Sequence, residues 1–180
     1  KGKRLVNWDP KLGTALSDLE VNQIEKLGKM WFIKYQLENS KENVVIGTTR
    51  PETMFGDTGI AIHPKNKKLN HLIGKKALIP ILNKIIPIFG DEYADPEKGS
   101  GAVKITPAHD FNDFEIGKKH DLEFVSILDE KANLNKNTPN EYQGLNRFVA
   151  RKKLISELVK DNKILKIVDN KMVFPVGDRS

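Results

Sequence analysis

The chain has 180 residues, with 30 Lys plus Arg against 24 Asp plus Glu, a net charge of +6 and no cysteine. That length suffices for one buried core. The missing cysteines exclude disulfides, thiolate nucleophiles and sulfur-ligated zinc, and no apolar run reaches the roughly 18 residues of a transmembrane helix, so the chain reads as a soluble, cytoplasmic protein.

In chain order, Lys3 to Trp8 reads as a short strand. Trp31, Ile33, Tyr35 and Leu37 alternate at period two, the mark of a half-buried strand, and "ENVVIGTT" and "TGIAIHP" give two more. "ALIPIL" and "KIIPIFG" are broken by Pro80 and Pro87, which predicts edge or bulged strands. Gly99 and Gly101 frame a turn before a strand from Ala102 to Thr106. A helix from about Asp110 to His120 follows, with Phe111, Phe114 and Ile116 toward the core, and Phe124 to Leu128 is again strand-like. Asn133 to Gly144 is polar and loop-like. Phe148, Leu154, Ile155, Leu158 and Val159 then recur at helical spacing, and "ILKIV" and "KMVFPV" close the chain.

Short strands without regular helix alternation predict an α+β fold: a barrel-like, mostly antiparallel sheet with two or three peripheral helices. The expectation for the ends is an excised domain. It starts at Lys1 and stops at "VGDRS" just after an apolar run, and 1–22 and 171–180 read as connecting strands to a parent body.

Two stretches carry the chemistry. In "VVIGTTRPETMFGDTGIAIHP", Val44 to Pro64, threonines, an arginine and carboxylates crowd around Pro51 between two strands. The segment is too polar for core and too tightly framed for a free loop, so it predicts the wall of a polar pocket. In "GAVKITPAHDFND", strand alternation puts Lys104 and Thr106 on one face and Val103 and Ile105 on the other. His109, Asp110 and Asp113 follow at the strand-to-helix junction.

Each of these residues also has a bland reading. Asp110 is a good N-cap and Asp113 a fair acid for the first turn. Lys104 fits an edge lysine that deters strand pairing, and Thr49 and Arg50 fit turn residues held extended by Pro51. The four histidines, His63, His71, His109 and His120, lack metal-ligand spacing, and neither a G-x-S-x-G elbow nor a P-loop is present.

"LVNWDPKLGTALSDLEV", "TTRPETMFGDTGIAIHP" and "GSGAVKITPAHDFNDFEIGKKHDL" resemble the editing domains of valyl-tRNA synthetases, inserted in the Rossmann core of these class I enzymes. The resemblance covers nearly the whole chain and is weakest from Asn133 to Asp169. Leucyl editing domains resemble "TTRP" and "PAHD" but do not typically carry lysine at the position of Lys104. Isoleucyl ones usually have histidine there and glycine in place of Asp110. Ser100 departs from the family's usual threonine. The HIGH and KMSKS signatures of aminoacylation are absent from this sequence.

The resemblance implies hydrolysis of threonine mistakenly esterified to tRNA(Val). Threonine is nearly isosteric with valine, and valyl-tRNA synthetases in general reject it by only about a hundredfold in their apolar pocket, which makes a second, polar sieve necessary. It further implies that Asp113 holds the substrate's α-ammonium group while Lys104, Thr106 and Asp110 read the threonine hydroxyl. Thr49 and Arg50 shape the water and the adenosine end, Thr53 lines the pocket, and His109 positions water or ribose. The implied partners are the threonine-bearing 3′ end of tRNA(Val) and the remainder of the synthetase chain, with no membrane. No metal or other cofactor is implied for editing, ATP serving only the catalytic domain that this sequence lacks. The alternatives are an isoleucyl or leucyl editing domain, or a non-catalytic tRNA-binding module.

Overall fold

The computed structural model describes residues 27–171. The strand expected at Lys3 to Trp8 and the connecting segments expected at 1–22 and 171–180 lie outside them, apart from Lys171. Contacts divide the chain into a body, Trp31–Ile167, and a second unit, Lys1–Met30 with Val168–Ser180. Every site residue discussed below belongs to the body.

The described strands are β1 (Leu27–Gln36), β2 (Asn43–Thr48), β3 (Gly59–Ile62), β4 (Lys76–Leu78), β5 (Ile85–Gly90), β6 (Ala102–Ile105) and β7 (Ile164–Lys171), with helices α1 (Phe111–Lys119) and α2 (Arg147–Lys160). One sheet has the order β2-β1-β7 and the other β4-β5-β3-β6. Pairing is antiparallel for β1/β2, β3/β6 and β4/β5 and parallel for β3/β5. The α+β architecture matches expectation, but among the described residues the sheets do not close into a barrel. They meet through the isolated bridge Leu37↔Ala77, and near β2 the Ser100 hydroxyl donates to the Val45 carbonyl.

Pro87 overturns the edge-strand expectation for "KIIPIFG", since β5 is interior to its sheet. The missing N–H is tolerated because pairing with β3 begins only at Ile60↔Ile88, one residue beyond the proline, and the Ile88 amide donates the other way to Lys75 O at 2.9 Å.

Ile33 and Tyr35 on β1 and Leu37 just after it are buried and pack with Val44 and Ile46 of β2, Met54, Phe55 and the Ala150, Leu154, Leu158 stripe of α2. That stripe has i, i+4, i+8 spacing, so one helix face is fully used. Phe148 and Val159, expected on it, are 59% and 55% exposed.

Phe111 and Phe114 are likewise not core residues, at 80% and 40% exposed. The buried face of α1 is Asp113 and Gly117. A Cβ on Gly117 would stand 2.7 Å from Pro107 Cβ, so glycine is what lets the helix lie against the end of β6. Ile116 is partly buried against Ala61, Ala94 and Ile105, as expected. The strand expected at Phe124 to Leu128 reduces to one bridge, Leu128↔Leu134. Its Ile127 amide donates to His109 Nε2 at 2.8 Å instead of to a ladder.

Candidate active site

The first chemical stretch departs from its expected character: every residue from Pro51 to Ile62 is buried. It is core despite its polarity because Glu52, Thr53 and Asp57 are paired, the condition under which burial of such groups is tolerated; the Thr58 hydroxyl is the one buried side-chain oxygen of the stretch without a partner. Pro51 opens a 3₁₀ turn, Pro51–Gly56, in which Thr53 donates through Oγ1 to Arg50 O at 2.9 Å. Glu52 is 0% exposed and receives Arg151 Nε at 2.7 Å, Arg151 Nη2 at 3.0 Å and Arg147 Nη2 at 3.0 Å. Burial alone would raise its pKa, but Arg151 and Arg147 bring the carboxyl below the usual value.

At the centre stands Lys104. As strand alternation predicts, it shares a face with Thr106. Its ammonium donates to Thr53 Oγ1 at 2.8 Å, Asp57 Oδ1 at 2.7 Å and Thr106 Oγ1 at 2.7 Å. A lysine has three N–H donors, and all three are engaged. Thr106 Oγ1 also donates to Asp57 Oδ1 at 2.8 Å, and Tyr35 OH donates to Asp57 Oδ2 at 2.6 Å. Burial pushes the Asp57 carboxyl up, and Lys104, Tyr35 and Thr106 pull it back; burial and Asp57 together push the Tyr35 hydroxyl well above its ordinary range. A substrate hydroxyl can bind Lys104 only by replacing or sharing one of these partners.

Asp113 lies at the other end of Thr106. Its Oδ2 accepts the Thr106 amide at 2.9 Å and its Oδ1 accepts Tyr93 OH at 2.7 Å. It does not cap the helix; Asp110 does, accepting the amides of Asn112 and Asp113 at 2.8 and 3.3 Å. Burial, then the charge of Asp110, pushes the Asp113 carboxyl up to about 6. Arg50 Nη2 reaches Asp110 Oδ2 at 3.3 Å and His109 O at 3.2 Å, so it ties the first stretch to the second. Thr49 is half-buried beside it.

His109 accepts the Ile127 amide through Nε2, which leaves a neutral ring's proton on Nδ1. Burial, then the charges of Arg50, Arg147 and Lys104, holds its pKa down to about 4. At neutral pH it is a hydrogen-bond donor through Nδ1, and its Nε2 lone pair is occupied.

Lys104, Thr53, Thr106 and Asp113 thus form one connected cluster, and Arg50, His109 and Asp110 a second, joined to it at the start of α1. The sequence reading missed Asp57, Tyr35 and Tyr93. Asp57 was inside the quoted stretch but 47 residues from Lys104, and the tyrosines carried no motif. A cavity of about 430 Å³ lined by residues including Leu78, Ile81, Glu157 and Lys163 contains none of these groups. Among the described residues no cluster of three or more His, Cys, Asp or Glu is arranged to hold a metal, and no helix is long and apolar enough to cross a membrane.

Comparison with known proteins gives this geometry a setting. Residues 65–147 match the family model described as leucyl-tRNA synthetase, editing domain. A valine–tRNA ligase of Legionella pneumophila (strain Paris) is 51% identical over 180 residues, all of this chain and 20% of that protein. One from Pelagibacter ubique (strain HTCC1062) is 52% identical, over all of this chain and 21% of that protein. The chain therefore spans about a fifth of the length of these curated relatives. Among solved structures, the Agrobacterium radiobacter K84 LeuRS–tRNA–LeuAMS ternary complex shares the fold, with a TM-score of 0.61 and 21% identity over 88% of this chain and 22% of that one.

Proposed function

Since this chain belongs to the class I aminoacyl-tRNA synthetase editing domains and is homologous to valine–tRNA ligases, we propose that it hydrolyses threonine mistakenly esterified to the 3′ end of tRNA(Val). The observation that carries this reading is the Lys104–Thr53–Asp57–Thr106 cluster, a buried polar group that adjoins the carboxylate of Asp113. The LeuRS neighbour is a complex with tRNA, which supports tRNA as partner. The curated relatives' greater length supports the rest of a synthetase as the other.

A lining of hydroxyls, an ammonium and carboxylates discriminates in one direction. A substrate side chain seated against Lys104 or Thr106 displaces one of their present partners: the hydroxyl of threonine takes that place, whereas the methyl group of valine leaves a buried donor or acceptor unpaired, at a cost of about 1 to 3 kcal/mol. Asp113 holds the α-ammonium, its two oxygens already oriented by Thr106 N and Tyr93 OH. Asp110 stands beside it at the threonine end.

An aminoacyl ester is activated, so positioning a water and stabilising the oxyanion suffices without a covalent nucleophile. Arg50 and Thr49 border the water and the adenosine. His109 serves as an Nδ1–H donor to water or ribose rather than as a base, because Nε2 is taken by Ile127. The reaction in this reading needs no metal.

The test is single-turnover deacylation of Thr-tRNA(Val) and Val-tRNA(Val), each with and without excess chelator. The proposal expects fast loss of threonine, slow loss of valine and no effect of chelator. Binding of tRNA without deacylation would make the chain a binding module, and preference for an isoleucyl- or leucyl-tRNA substrate would reassign its specificity.

A further inference from the structure

We propose that Tyr93 is a positioning residue for this reaction: its hydroxyl holds the Asp113 carboxylate in the orientation and charge state that receive the substrate's α-ammonium group. The inference rests on the deacylase reading and adds a residue that carried no motif in the sequence.

The segment after β5 grips α1 at both ends. Its first residue, Asp91, is 6% exposed and is fixed to β3 by its amide, which donates to Ile62 O at 3.0 Å. Asp91 Oδ2 receives His120 Nε2 at 2.8 Å and Lys119 Nζ at 3.0 Å from the C-terminal end of α1, and His120 stacks on Phe89 with ring centroids 4.0 Å apart. Asp91 Oδ1 accepts the Tyr93 amide at 2.8 Å, setting a tight turn that aims Tyr93 back at the helix start. There Tyr93 OH meets Asp113 Oδ1 at 2.7 Å. One short segment therefore fixes both ends of the helix that carries Asp113.

Tyr93 is 37% exposed, so the residue is not simply filling core. Each oxygen of Asp113 is fixed by one donor, Thr106 N from β6 and Tyr93 OH from the segment after β5. A carboxylate accepts about four hydrogen bonds, which leaves lone pairs for an ammonium group.

The charged groups facing Asp113 act in opposite directions. Asp110 on its own helix start opposes ionisation, and Lys104 from β6 favours it, as do the hydrogen bonds from Tyr93 and the Thr106 amide. Asp110 is itself paired with Arg50. Burial and Asp113 push the Tyr93 hydroxyl well above its ordinary range, so it remains a donor wherever Asp113 titrates. Removing that donor withdraws support from the charged carboxylate alone.

The test compares the wild-type chain, Y93F and D113N. The chain is labelled with carboxyl-¹³C aspartate, and the Asp113 resonance is assigned by its loss in D113N. The wild-type midpoint is expected near 6, and Y93F should raise it by roughly one pH unit, the worth of one charge-assisted hydrogen bond. Thr-tRNA(Val) deacylation at pH 6 should then fall about fivefold, with the deficit closing as pH rises to about 8.5. An unchanged midpoint, or a moved midpoint with no matching shift in the acid limb of deacylation, overturns the proposal, and a purely structural tyrosine would change melting without moving the midpoint. Failure of the wild type itself to deacylate Thr-tRNA(Val) would instead refute the proposed function, and the carboxyl midpoint would still decide whether Tyr93 governs Asp113.

Discussion

Lys104 Nζ and Asp57 Oδ1 form an ion pair at 2.7 Å, with side chains 9% and 0% exposed. The pair makes Lys104 part of the fold as well as of the site, because removing one member leaves a buried charge uncompensated, at a cost of about 3 to 5 kcal/mol. Lys104→Ala should therefore lose stability on that scale in denaturant melts as well as activity. Adding Asp57→Asn should restore part of the loss, and a Lys104→Ala variant of wild-type stability would show that the ion pair contributes nothing.

Glu52 answers to the same physics on the opposite side of the Arg50–Thr53 turn. Glu52→Gln leaves the Arg147 and Arg151 guanidiniums facing a neutral amide, so we expect destabilisation of about 3 kcal/mol near neutral pH. Since the folded pKa is lowered, the carboxylate's contribution is present above its unfolded value near 4.5 and fades as pH falls through the folded one. The gap between wild type and Glu52→Gln should narrow in acid. A gap independent of pH would place the effect in packing.

These two pairs mark the limit of what the sequence discloses. Strand alternation correctly put Lys104 and Thr106 on one face, because that periodicity is local to β6. The capping role of Asp110 was legible for the same reason. The burial of Pro51 to Ile62 was not, since a polar run counts as core only when partners far along the chain satisfy it, here Arg147 and Arg151 on α2 and Lys104 on β6. Phe111 and Phe114 misled because a helix's buried face is set by what it packs on, and α1 packs on Pro107 through Gly117 and bonds the Thr106 amide through Asp113. The Pro87 error came from treating a missing N–H as a property of the whole strand, when only the pairing at that residue decides its cost.

His109 gives a prediction about pH. Its folded pKa of about 4 lies below the ordinary 6.5, so between those values the unfolded chain binds more protons. Its contribution to stability is full above about pH 6.5 and is lost as pH falls toward 4, by on the order of 3 kcal/mol. His109→Gln keeps an acceptor for the Ile127 amide and removes the titration. Its stability relative to wild type should rise steadily on going from pH 6.5 to 4, by chemical denaturation at each pH. No change in that difference would mean that His109 titrates normally.

Asp113 produces the opposite slope in the same window, and this sets two explanations of the residue against each other. Its folded pKa of about 6 lies above the ordinary 3.8, so there the folded chain binds more protons. Stability declines as pH rises from about 4 to 6, leaving above pH 6 a cost on the order of 3 kcal/mol for keeping the carboxylate charged. An acid serving only the helix dipole would instead contribute up to about 1 kcal/mol when charged. Asp113→Asn should therefore be at least as stable as wild type at pH 7, with an advantage that vanishes toward pH 4. If Asp113 holds the α-ammonium, the same variant loses about 2 to 4 kcal/mol of transition-state stabilisation, thirtyfold to a thousandfold in single-turnover deacylation of Thr-tRNA(Val). A variant that gains stability while losing activity identifies a charge kept for the substrate, whereas one that loses stability and keeps its activity returns Asp113 to the helix. The wild-type chain alone would not disclose this, because the contributions of Asp113 and His109 nearly cancel between pH 4 and 6, and only the two single variants separate them.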